Sequence, residues 1–232
     1  METVILILEI IGTVAFALSG AMVAIKRGMD VFGVCILGLT TACGGGIIRD
    51  LLLGNTPPSA FVNPVFALIA IGTAIIVFLP SVRRVFAAHP KRYEQIILWM
   101  DSIGLGLFTV IGIRTAYANT NSFNILFFLF LGVVTGVGGG VMRDVMSKNI
   151  PYIFIKHFYA TASLIGAAVS VVFLYFGLSY LAIGIGALTV ITLRLFAAKY
   201  RWSLPKAHEL TETEVNPPKS QNEETKETTT VQ

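Results

Sequence analysis

The sequence predicts an all-α integral membrane protein: seven transmembrane helices, arranged as two inverted three-helix repeats plus a seventh helix. Three observations lead there. Of the 232 residues, 55% are hydrophobic and only 13% are charged, with a mean hydropathy of +0.77. That balance suits a chain solvated by lipid. The apolar part, roughly residues 3–200, divides into segments near the ~20 residues that one span needs. Finally, one motif occurs twice. Gly44-Gly45-Gly46-Ile47-Ile48-Arg49-Asp50 returns 94 residues later as Gly138-Gly139-Gly140-Val141-Met142-Arg143-Asp144, and Asn55 and Pro57 return as Asn149 and Pro151.

The first span is expected over residues 3–25, stopped by Lys26-Arg27, and the second over 31–53. Gly54-Asn55-Thr56-Pro57-Pro58 then forms a turn, since proline and asparagine do not continue a helix. The third span covers 61–80 and is followed by a basic loop with Arg83, Arg84, Lys91 and Arg92. Spans four to seven cover 95–117, 123–146, 153–176 and 178–198. From Ser203 the chain is rich in Thr, Glu, Lys, Gln, Asn and Pro, a tail too polar to order itself by burial. The expected organisation is a first repeat with its basic loop at 1–94, an inverted second repeat at 95–177, the seventh helix at 178–202 and a disordered tail at 203–232. Inversion follows from the odd number of spans per repeat, because the second copy then enters from the opposite face. The register extends past the motif: Glu9, Gly12, Gly20 and Ala24 match Asp101, Gly104, Gly112 and Ala116.

Charge sets the expected orientation. Up to Trp202 there are 14 Lys and Arg against 7 Asp and Glu; beyond it there are 3 against 6. Lys26, Arg27, the Arg83–Arg92 stretch, Lys148, Lys156, Lys199 and Arg201 fall on one side of the seven-span plan. The opposite loops carry no Lys or Arg. The positive-inside rule then places the N-terminus outside and the C-terminus in the cytoplasm. The basic excess is an orientation signal and not a nucleic-acid surface.

Each glycine in a helix interior costs roughly 1 kcal/mol relative to alanine. A triple glycine therefore either breaks the helix, freeing backbone groups toward a cavity, or lets two helices pack closely. Its repetition at equivalent places favours breaks in the second and fifth helices, with Gly44, Gly45, Gly46, Gly138, Gly139 and Gly140 on a pathway. Ionisable groups inside spans are expensive and mark cavities or partners. Glu9, Arg49 and Asp50 fall on the outer side; Asp101, Arg143 and Asp144 occupy the matching inner places. Glu9 and Asp101 are expected to line the pathway, with Arg49, Asp50, Arg143 and Asp144 as structural charge pairs. Glu9–Arg49 and Asp101–Arg143 salt bridges tying helices together are the plainer alternative. Arg114 and Arg194 are close enough to span ends to snorkel to headgroups.

No His-Glu-x-x-His, P-loop, Gly-x-Ser-x-Gly or zinc-spaced cysteine pair is present, so neither an enzyme nor a metal or cofactor site is expected. Cys35 and Cys43 read as small packing residues.

Two three-span repeats, each with an early acid and a Gly-Gly-Gly-x-x-Arg-Asp motif, resemble the bacterial branch of the trimeric intracellular cation channel superfamily, whose repeats are also labelled glycine transporter domains. The resemblance covers residues 3–198. It implies a homotrimer in the bacterial cell (inner) membrane, a pore through each protomer lined by the second and fifth helices, and potassium as the main permeating ion. The alternative is a secondary transporter of glycine or another small zwitterion, since inverted repeats and broken helix ends suit that function equally.

Overall fold

In a computed structural model, residues 2–120, 122–155 and 158–202 are described. Lys156, His157 and the polar tail from Ser203 lie outside them. Ten helices appear among the described residues: α1 (Glu2–Lys26), α2 (Val31–Leu52), α3 (Ser59–Val62), α4 (Val65–Phe78), α5 (Pro80–Ala87), α6 (Pro90–Ala118), α7 (Ile125–Met146), α8 (Tyr152–Ile155), α9 (Tyr159–Tyr175) and α10 (Ser179–Lys199). Five of them, α1, α2, α6, α7 and α10, are long and apolar enough to cross a membrane; α4 and α9 are shorter apolar helices.

Local chemistry explains most boundaries. Asp30 caps α2 by accepting from Gly33 N at 2.7 Å, and Asn124 caps α7 by accepting from Phe127 N at 3.1 Å. Gly28, Gly54 and Gly177 take positive φ just past α1, α2 and α9, where a Cβ would be strained. The third and sixth apolar segments are each split, into α3 and α4 and into α8 and α9. Asn63-Pro64 separates the first pair, because the residue before proline is pushed out of the helical region. Phe158, at φ 50°, precedes α9. The expected basic loop is largely helical: α5 starts at Pro80 and α6 at Pro90, both suited to a first helical position.

One expectation is corrected here. α2 runs unbroken through Gly44, Gly45 and Gly46, and α7 through Gly138, Gly139 and Gly140. The glycine penalty is referenced to water, and a freed backbone group in a bilayer has no water to take it. The helical hydrogen bonds are kept, and the missing side chains serve packing instead.

α2 packs against α1, α4 and α7, and α6 against α1, α7 and α10. Arg27 at the end of α1 bonds Asn149 just past α7, and Lys26 pairs with Glu94 in the first turns of α6. The ends of α1 and α7 and the start of α6 therefore share one side. Since α2 turns back from α1 at that side, α2 and α7 run antiparallel. Phe16 and Phe108 meet at the centre with ring centroids 5.3 Å apart.

Candidate functional site

α2 and α7 cross at backbone contact. A Cβ on Gly45 would overlap the carbonyl oxygen of Thr135, and one on Gly139 would overlap that of Thr41. Gly138 lies against Gly45 itself, with Cα 3.1 Å from the Cβ position. Only hydrogen fits at this crossing, as in close helix packing within membranes. Thr41 and Thr135 turn their hydroxyls to Leu37 O and Leu131 O at 2.6 Å each, leaving no bare polar group at the contact. Gly20 and Gly112 admit those threonines in turn, and Gly12 and Gly104 lie against Phe108 and Phe16. The crossing is thus built reciprocally from both halves of the chain.

A charged group sits at each end. At one end, Arg49 donates through Nε to Asp50 Oδ1 at 2.8 Å, and its Nη2 also lies 2.8 Å from that oxygen. Asp50 Oδ2 accepts from Ser59 N at 2.8 Å and Ser59 Oγ at 2.6 Å, so the carboxylate anchors the start of α3. Arg49 Nη2 also reaches Ser59 Oγ at 3.4 Å. Half-buried Glu9 makes no ion pair within 4.0 Å with Arg49, which pairs with Asp50 instead. Glu9, Thr13, Cys43, Gly46, Arg49 and Ser59 line a cavity of about 50 Å³. The first atom that a Cβ on Gly46 would meet is Arg49 Nη2, at 3.8 Å, so this glycine opens on the cavity.

At the other end, Arg143 Nε donates to Asp144 Oδ1 at 2.9 Å, and Asp144 Oδ2 accepts from Tyr152 N at 2.9 Å, anchoring α8 as Asp50 anchors α3. Arg143 Nη1 also donates to Asp101 Oδ1 at 2.5 Å and to Ser19 Oγ at 2.7 Å. Tyr159 OH donates to Asp101 Oδ1 at 3.4 Å and fills the space beside Gly140. Arg194 Nη2 lies 3.7 Å from Asp101 Oδ2, and its guanidinium sits 4.6 Å from the centre of the Tyr159 ring.

The structure therefore brings Arg49 with Asp50 and Asp101 with Arg143 and Asp144. It corrects two expectations. Asp101 is fully buried beneath two guanidinium groups and a tyrosine, and lines no open vestibule. Arg194 is 2% exposed and does not snorkel; its stem points inward because Asp101 offers a closer counter-charge than the headgroups do. Ser19, Ser59 and Tyr159 had no signal of their own in the sequence. Phe16 and Phe108 did, since they hold the same offset as Gly12 and Gly104. Among the described residues no three His, Cys, Asp or Glu side chains converge to hold a metal, and Cys35 and Cys43 are free thiols.

A family model described as glycine transporter matches the chain twice, over residues 6–81 and 98–175. The inner membrane protein YadS of Escherichia coli K12 is 37% identical over 198 residues, 85% of this chain and 92% of its own. The membrane protein YvgT of Bacillus subtilis is 31% identical over 203 residues, 86% of this chain and 94% of its own. A structure described as the basis for conductance through TRIC cation channels superposes with a TM-score of 0.78 at 37% identity, covering 88% of this chain and 98% of that one. A trimeric intracellular cation channel orthologue from Rhodobacter sphaeroides gives 0.78 at 34%, over 86% of this chain and all of its own. With the doubled motif and the reciprocal crossing already in place, these likenesses have one reading: the chain is a membrane protein of the glycine transporter family, within the trimeric intracellular cation channel superfamily.

Proposed function

We propose that the protein is a cation channel of the bacterial cell membrane, passing chiefly potassium through a separate pathway in each protomer of a homotrimer. The observation that carries the reading is the superposition on TRIC cation channels over 98–100% of their length. The organisation we assign is seven spans, α1, α2, α4, α6, α7, α9 and α10. They form repeats at 1–94 and 95–177 of opposite orientation, then a seventh helix at 178–202, with the N-terminus outside. The pathway follows the α2–α7 crossing and not a gap of unwound backbone. At its outer end Glu9 and Asp50 outnumber Arg49, and an excess of negative charge beside a low-dielectric wall concentrates cations. Gly44, Gly45, Gly138 and Gly139 let α2 and α7 slide against one another, so that a small shift opens or closes the path between them, while Gly46 and Gly140 flank it beside the Arg49 cavity and Tyr159.

A second reading, transport of glycine or a similar zwitterion, draws on the family description and on the cavity that holds Glu9 and Arg49 together. The two charges offer partners for an ammonium and a carboxylate. Purified protein in liposomes separates the readings. Rapid potassium flux that does not saturate supports the channel. Slow, saturable exchange of radiolabelled glycine without ion current refutes it in favour of the carrier.

A further inference from the structure

A cavity of about 610 Å³ has none of its described lining residues among those of the glycine crossing or of the Glu9 cavity. It opens where α1 ends, α5 begins and α6 begins, and is lined by Ile25, Lys26, Pro80, Arg83, Arg84 and Pro90, with Tyr93 and Glu94 behind them. Three features bear on what it holds. Its size is that of a small-molecule site and far exceeds an inorganic anion. Its level is that of the headgroups, since it sits where two spanning helices meet the basic end of the molecule. Its charge is unbalanced: Lys26 is neutralised by Glu94, whereas Arg83 and Arg84 have no acidic partner among the described residues. The Arg83 guanidinium is held 5.2 Å from the Phe78 ring centre, and Tyr93 ties α6 to the Met22 carbonyl of α1. The site is thus braced on two sides, with apolar walls at Ile25, Pro80 and Pro90.

We propose that this cavity seats one anionic glycerophospholipid, its phosphate on Arg83 and Arg84 and the upper part of an acyl chain against Ile25, Pro80 and Pro90. Charge complementarity selects the anionic class. The apolar walls at headgroup depth select a lipid over a soluble phosphate. The bound lipid joins α5, the link between the two halves, to the helices on either side of it.

The test uses the full chain in phosphatidylcholine nanodiscs doped with phosphatidylglycerol, with lipid bound per chain read by native mass spectrometry. One phosphatidylglycerol is expected per chain, retained against inorganic phosphate. Each of R83Q and R84Q is expected to weaken retention about fivefold, and the pair about 25-fold. R83K/R84K is expected to recover most of the affinity. K91Q/R92Q, exposed on the same basic stretch but outside the cavity, is expected to change retention less than about twofold. Four outcomes overturn the proposal: equal binding of phosphatidylcholine; release of the lipid by inorganic phosphate; equal losses in R83Q/R84Q and K91Q/R92Q, meaning diffuse surface attraction; or unchanged retention in R83Q/R84Q. All five variants alter exposed side chains, and a matching elution profile confirms that each remains folded.

Discussion

Glu9 and Asp101 hold the same place in the two halves of the chain, and their surroundings differ. Glu9 is half-buried beside a cavity and shares its end of the molecule with Asp50 and one guanidinium, Arg49. Asp101 is fully buried and shares its end with Asp144 and two guanidinium groups, Arg143 and Arg194. The second arginine comes from α10, a helix that has no counterpart at the other end. Two further substitutions widen the gap. Tyr159 fills the space beside Gly140, while Gly46 faces open volume; Ser19 takes a hydrogen bond from Arg143. One end therefore has a surplus of negative charge beside a cavity, and the other a balanced, fully buried network. The two copies of the motif are alike in sequence and unlike in charge, because α10 brings Arg194 to one of them.

Four experiments probe that difference. Asp101→Ala has the largest expected effect, because it strands Arg143 and Arg194 without one of their acids. Removing one member of a buried charge network costs about 3–5 kcal/mol. The yield of monodisperse protein should collapse, and adding Arg194→Leu should recover part of it. Wild-type yield in Asp101→Ala would show that the network is not what holds this end together.

Next come the positions where the halves should agree. Gly45→Ala and Gly139→Ala each push a methyl group into a facing carbonyl. Overpacking of this kind costs about 1–3 kcal/mol, read as a lower unfolding midpoint in detergent, similar for both. Gly72→Ala is the control: no atom lies within 4 Å of its Cβ position, so the helix gains stability by about 0.5–1 kcal/mol. Unequal losses at Gly45 and Gly139 would break the reciprocity of the crossing.

Ser59→Ala removes the hydroxyl that Asp50 accepts at 2.6 Å, for which Asp144 has only a backbone counterpart at Tyr152. A loss of about 1 kcal/mol is expected, measured by the same melt. The smallest change in stability belongs to Glu9→Gln, under about 0.5 kcal/mol, with a reduction of potassium flux of about fivefold or less from the lost surface charge. A stability loss like that of Asp101→Ala would mean that Glu9 is as firmly paired as its counterpart.

Much of this molecule was legible in its sequence. The apolar segments mark the helices because a bilayer demands continuous apolar length, and Gly44–Gly46 with Gly138–Gly140 mark the place where the halves meet. The segment ends were less legible. Asn63-Pro64 splits the third apolar segment, and the Arg83–Arg92 stretch looked like a loop because its charges hide an amphipathic turn of helix. The charge partners were legible only in part: Arg143 does meet Asp101, but Arg49 turns to its neighbour Asp50.

By itself the sequence determined that this chain is helical, belongs in a membrane, and carries two copies of one charged glycine motif. Those are properties of composition and spacing, and they hold whatever the helices touch. The tertiary structure alone decided what the motif does locally. Whether three glycines open a helix or admit a neighbour depends on what lies opposite, and Thr41 and Thr135 lie opposite. Whether an arginine near a span end reaches out or in depends on the nearest counter-charge, and for Arg194 that is Asp101, 93 residues away in the chain. A local propensity is worth about 1 kcal/mol per residue, and the contacts that override it come from helices far away in sequence.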